Sequence, residues 1–143
     1  MDVQLERKII NAFFYKNKRD RIAFELTRNN GKEIIHKLGQ YHSSYININN
    51  VLFPSNKLRS VSDIIKTMEE NGVNTLCYSW SEYPDYHRKK VKLKEAIEAH
   101  LPDGFAALVV GLPSGFAYFR NDSFSSHRPN CFLKPPVRFD KLV

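Results

Sequence analysis

The chain is expected to fold as one α+β domain covering residues 1–143, and three observations carry that expectation. Helical periodicity fills the first 40 residues. Strand-like segments interleave with two helical ones after residue 41. Residues 105–120 hold two apolar runs around the turn Gly111-Leu-Pro-Ser-Gly115. The expected architecture is a small antiparallel sheet with that hairpin at its centre. The N-terminal helical region and two further helices pack against it, on one face.

In the first region Leu5, Ile9, Ile10, Phe13 and Phe14 recur at helical spacing, as do Ile22, Ala23 and Leu26, then Ile34, Ile35 and Leu38. Asn29-Asn30-Gly31 separates the second and third segments, and Gly39 suits the left-handed position that closes a helix. The first two segments form either one long helix to Arg28 or two helices with Asn17 as a cap. Tyr45-Ile-Asn-Ile-Asn49 alternates and reads as a short strand, followed by a loop at Pro54.

Val61, Ile64, Ile65 and Met68 follow the helical rule from an N-cap at Ser60, and Asn71-Gly72 ends that helix. Thr75–Trp80 alternates as a strand, with Leu76, Tyr78 and Trp80 on one face. Leu93, Ala96, Ile97 and Leu101 mark a short helix stopped by Pro102-Asp-Gly104. After the hairpin comes a polar loop at 121–130. Cys131-Phe-Leu133 then reads as an edge strand, cut off by Pro135-Pro136. Ile65 and Val109 fall on expected core faces.

From residue 75 onward this order of elements resembles a group of small bacterial proteins without an assigned function. The shared pattern is Cys77-Tyr78, Leu93-Lys-Glu-Ala-Ile-Glu98, Gly104-Phe105, Leu112-Pro-Ser-Gly115 and Ala117-Tyr-Phe119, with Lys18–Leu26 also fitting. The chain departs from it at Ser79-Trp80, where the group has apolar residues, and at Ser114, an extra residue in the turn. The resemblance implies a compact bacterial or mobile-element protein and no activity.

Composition narrows function. Hydrophobic residues make up 42% of the chain and aromatics 13%, which excludes intrinsic disorder for most of its length. No apolar run approaches the ~20 residues of a membrane helix, and the charged start Met1-Asp-Val-Gln-Leu-Glu-Arg-Lys8 lacks a signal-peptide core. A cytoplasmic protein with no membrane association is expected. Cys77 and Cys131 lie in candidate strands and read as buried thiols, with a disulfide open only if those strands are neighbours. No metal-ligand spacing, phosphate loop or cofactor fingerprint occurs, so no metal or cofactor is expected. The formal net charge of +7 favours an anionic partner.

The leading candidate surface is the loop from Trp80 to Lys90. Tyr83 and Tyr86 interleave there with His87, Arg88, Lys89 and Lys90. Aromatic area plus cations suits a protein hot spot or a single-stranded nucleic acid. Tyr86 and Arg88 belong to no core period, so replacing both with Ala is expected to leave the fold intact. The cations Lys16, Lys18, Arg19 and Arg21 form a second set of anion contacts. His42, in Tyr41-His-Ser-Ser44, supplies one half of a two-histidine phosphoesterase signature, and no second copy exists.

Three functions remain open. The favoured one is a protein-binding module of the inhibitor, immunity or conflict-system type, whose partner presents an acidic or neutral interface. The alternatives are a basic nucleic-acid-binding protein and a small ribonuclease or toxin using His42 and His87.

Overall fold

The computed structural model describes residues 1–52, 60–101, 106–121 and 130–142. The expected loop at Pro54, the stop at 102–104, the hairpin's first residue Phe105 and most of the 121–130 loop lie outside them. Helices α1 (Val3–Phe13), α2 (Arg19–Leu26) and α3 (Lys32–Tyr45) come first. Strand β1 (Val51–Leu52), helix α4 (Val61–Glu70), strands β2 (Val73–Ser81) and β3 (Lys89–Lys92), and helix α5 (Leu93–His100) follow. Strands β4 (Ala107–Pro113), β5 (Ala117–Arg120) and β6 (Asn130–Leu133) complete one antiparallel sheet in the order β1-β6-β5-β4-β2-β3.

The hairpin is central, as its apolar composition demands. Its strands β4 and β5 pair Leu108 with Phe119 and Val109 with Tyr118. Strand β2 flanks it with Tyr78 opposite Val110 and Trp80 opposite Leu108. Alternation then sends side chains to both faces. Tyr78, Trp80, Leu108, Val110, Phe119 and Leu133 join Ile9, Phe13, Ile22 and Leu38 from α1, α2 and α3. Cys77, Val109, Tyr118 and Phe132 join Ile64 and Met68 of α4 and Ile97 of α5. Helices therefore cover both faces, where one covered face was expected. A strand such as Ala107–Val110 is buried throughout for that reason. Each fully buried Leu, Val or Phe contributes about 1.5–3 kcal/mol.

The two cysteines fall on opposite faces, and two strands separate β2 from β6. The sheet itself rules out a bond between them without unfolding, and both are free and buried. Burial pushes both thiols up to about 12, so neither is a ready nucleophile.

The helix ends are set by side-chain caps and tight turns. Asp2 caps α1 by accepting from the Leu5 N–H at 3.0 Å, and Ser60 caps α4 by accepting from the Asp63 N–H at 3.2 Å. The first two segments are separate helices joined by a 3-10 turn at Lys16–Lys18, and Asn17 is not the cap. Arg19 stabilises the break by donating to the carbonyls of Asn11 and Phe14, at 3.0 and 3.3 Å. Asn29, Asn30 and Gly31 all have positive φ and turn the chain from α2 into α3. Gly39 does not close α3, which continues to Tyr45. The expected strand at 45–49 is instead that helix end, a bridge at Ile46 to Phe14, and a 3-10 turn at Ile48–Asn50.

Candidate functional site, the cleft between the first two helices

Helix α1 carries one charged residue on its apolar stripe. Glu6 is buried beside Leu5, Ile9, Ile10 and Phe13. A carboxylate there needs partners, and long-range ones supply them. Its Oε1 accepts from Arg88 Nη2 at 2.7 Å. Its Oε2 accepts from Arg88 Nε at 2.8 Å, Tyr78 Oη at 2.8 Å and Trp80 Nε1 at 3.1 Å. Burial pushes the Glu6 carboxyl up, but the hydrogen bonds from Arg88, Tyr78 and Trp80 outweigh it and hold it below the usual range. Glu6 is therefore an ionised carboxylate held by four hydrogen bonds, three of them to Oε2.

Arg88 does more than neutralise it. Its Nη1 donates to the Leu26 carbonyl at the end of α2, at 2.8 Å, while its other two nitrogens hold α1. One guanidinium thus pins two helices to the connection between β2 and β3. The backbone bends to deliver it: Arg88 has φ +57°, in the left-handed region. His87 adds a second tie. Its Nδ1 accepts from the Ser81 N–H at 3.1 Å and its Nε2–H donates to the Asn30 carbonyl at 2.7 Å. Both ring nitrogens are committed and the ring is neutral. Burial leads the causes that lower its pKa.

Above this pair lies an open cleft of about 710 Å³ between α1 and α2. Val3, Ile10, Ala23 and Leu26 give it apolar walls, Arg7 and Asp20 stand among its polar residues, and Glu6 with Arg88 form part of its lining. Met1 and Val3 remain 75% and 60% exposed, and Phe24 on α2 is 58% exposed, so this region leaves apolar area uncovered.

The structure redistributes the sequence candidates. Trp80, His87 and Arg88, expected in an exposed loop, are buried, because their polar tips serve Glu6, Asn30 and Leu26. Arg88 therefore belongs to the core, and the expected neutrality of replacing it is corrected. Tyr83 and Tyr86 are half-buried and fold over the opposite face onto His100, at 5.3 and 5.5 Å between ring centres. His100 donates from Nδ1 to Ala96 O at 2.6 Å, and its Nε2 lies 2.5 Å from Ser81 Oγ. Lys89 and Lys90 are exposed on edge strand β3, with Lys90 3.5 Å from Asp2.

In the second set, Lys16 is exposed and Lys18 sits over the Tyr45 ring at 5.3 Å. Arg19 braces α1 and lines the cleft, and Arg21 approaches Glu25 at 3.9 Å. Arg19 and Arg88 are the two candidates that the cleft brings together.

His42 packs 5.8 Å from Phe119, with its Nδ1 lacking a hydrogen bond among the described residues, and burial lowers its pKa. With His87 locked, a His42–His87 acid–base pair has no working second member. Sequence reasoning missed Glu6, Arg7 and Ala23. The available signal was a carboxylate set on the stripe Leu5-Ile9-Phe13. Among the described residues no helix is long and apolar enough to cross a membrane, and no cluster of His, Cys, Asp or Glu suits a metal. Comparison with protein families, curated proteins and solved structures finds no match.

Proposed function

We propose that this chain is a protein-binding module of the inhibitor, immunity or conflict-system type, working in a bacterial cytoplasm. The observation that carries this reading is the α1–α2 cleft, apolar in its walls and held open by the Glu6–Arg88 pins. A preformed concave surface loses little entropy on binding, which favours recognition by shape. The buried polar groups beside it are consumed by the fold, which favours binding over chemistry at this place. The net charge of +7 selects a partner with an acidic or neutral interface.

The test is capture by the tagged protein from lysate of the source cells, with nuclease added, followed by reconstitution from purified components. A protein forming a stable stoichiometric complex supports the reading. Material that disappears with nuclease, or binding that falls steeply between about 50 and 200 mM salt, opposes it.

One observation favours nucleic acid as a second reading. Lys89, Lys90, Lys92 and Lys94 are exposed along and beside edge strand β3. Lysines also guard a sheet edge against pairing with other chains. If they bind phosphates, replacing Lys89 and Lys92 with Ser flattens the salt dependence by about one unit for each phosphate no longer neutralised. An unchanged slope removes that reading.

A further inference from the structure

We infer that the cleft between α1 and α2 receives a short, acidic, amphipathic helix of the partner protein. This rests on the protein-binding reading and adds the chemistry of the occupant.

Shape is the first argument. Two helices side by side form a groove into which the ridge of a third can pack. The small Ala23 lies on one wall and leaves room, while Val3 and Ile10 face the groove from the other. Helix α1 has 11 residues, a length of roughly 16 Å, which matches about three turns of a docked helix. Exposed Met1 and Val3, which line the cleft, offer the apolar area such a helix buries.

Charge is the second argument, and it selects among helices. The acids of α1 and α2 are mostly spent. Asp2 pairs with Lys90, Glu6 with Arg88, and Glu25 with Lys37 at 3.0 Å. Asp20 remains. Arg7 and Arg19 line the cleft beside it, and neither has an ion pair among the described residues. With Arg88 and Glu6 paired, the lining keeps two cations against one acid, and carboxylates flanking an apolar stripe complement that excess. A phosphate backbone would satisfy the cations but leave Val3 and Ala23 wet, so the apolar walls favour a peptide over nucleic acid.

Rigidity is the third argument. Arg88 bonds to Glu6 of α1 and to the Leu26 carbonyl of α2, so the separation of the two walls is set before any partner arrives.

The experiment is a titration of isotopically labelled protein, followed by amide NMR. The probe is a capped peptide of about 14 residues, roughly 21 Å as a helix, with Leu at three-four spacing and Glu elsewhere. The controls are a twin with Lys for Glu and a twin with the Leu spacing scrambled. The acidic peptide is expected to shift Val3, Arg7, Ala23 and Thr27. Each twin is expected to bind at least about tenfold more weakly. Ala23→Trp fills the groove at an exposed position; it should abolish the shifts and leave the remaining spectrum native. The inference is overturned if the acidic peptide does not bind at about millimolar concentration, if its shifts map to Lys89 and Lys92, or if Ala23→Trp binds it equally. A reconstituted partner that ignores Ala23→Trp removes the cleft and leaves the protein-binding reading standing. Absence of any protein partner removes that reading itself.

Discussion

Replacing Arg88 with Ala should be among the most damaging single changes to this fold. The Arg88 and Glu6 side chains are only 8% and 4% exposed. Removing the guanidinium strands a buried carboxylate with two donors, Tyr78 and Trp80, and frees the Leu26 carbonyl. Breaking a buried pair from one side costs about 3–5 kcal/mol. A small domain holds about 5–15 kcal/mol in total, so the variant should be marginal. In urea, with an m-value of about 2 kcal/mol/M, the midpoint should drop by roughly 2 M.

The backbone offers an internal control. Because Arg88 sits at φ +57°, glycine relieves the left-handed conformation that alanine must bear. Arg88→Gly should therefore be about 1 kcal/mol more stable than Arg88→Ala, the reverse of the usual order. A double-mutant cycle with Glu6→Ala should return a coupling of about 2 kcal/mol or more. An Arg88→Ala loss below about 1 kcal/mol, or a Gly variant no better than Ala, would refute the pinning role.

Acid should weaken the protein through the same pair. The folded Glu6 pKa lies below the ordinary glutamate value of 4.5, so its contribution is complete above that pH. It is lost as pH falls through the lower folded value, and a melt series showing no steeper acid loss in wild type than in Glu6→Gln counts against the assignment. His87 has a lowered pKa, so its contribution is complete above the ordinary histidine value of 6.5 and declines as pH drops below it. An NMR titration midpoint for His87 at or above 6.5 contradicts the burial argument. In α4, Ile64 is fully buried and Ile65 only partly so. Ile64→Ala should cost about 3 kcal/mol and Ile65→Ala about 1, and equal losses in denaturant melts would mean α4 is rotated from its described face. Gly115 has φ +88°, and an added Cβ would lie 2.6 Å from the Phe139 ring. Gly115→Ala should cost about 2 kcal/mol or more, and a neutral result would mean the hairpin turn relaxes freely.

What the sequence disclosed was local. The hairpin was legible because Leu108–Val110 and Phe116–Phe119 are too apolar for any place but the sheet centre. Helix α4 was legible because its cap and its period agree. The segment at 45–49 misled because two Ile–Asn repeats imitate alternation, whereas the chain there completes a helix and then turns. Loop 80–90 misled for a deeper reason. A run of Tyr, His, Arg and Lys looks solvated when its partners are unknown. Its anchors are Glu6, Leu26 and Asn30, which lie 82, 62 and 57 residues away along the chain. No local pattern encodes contacts at that range.

The placement of charge in the core bears on the cleft above it. An apolar pair at positions 6 and 88 could fill the same volume, since buried ion pairs often add little net stability. It could not fix direction. The fork of Arg88 accepts one arrangement, with Glu6 on one side and the Leu26 carbonyl on the other. That geometry sets where α1 and α2 stand relative to β2 and to each other. If the cleft is the binding surface, substitutions at Glu6 that leave the chain folded should weaken the partner by moving the two helices that form its walls. Glu6→Gln is the informative change, because it keeps the volume and an acceptor for Tyr78 and Trp80. The expected result is a folded protein with amide shifts along α1 and α2, and acidic-peptide affinity reduced about three- to tenfold. Unaltered affinity alongside those shifts would mean that helix spacing does not govern binding.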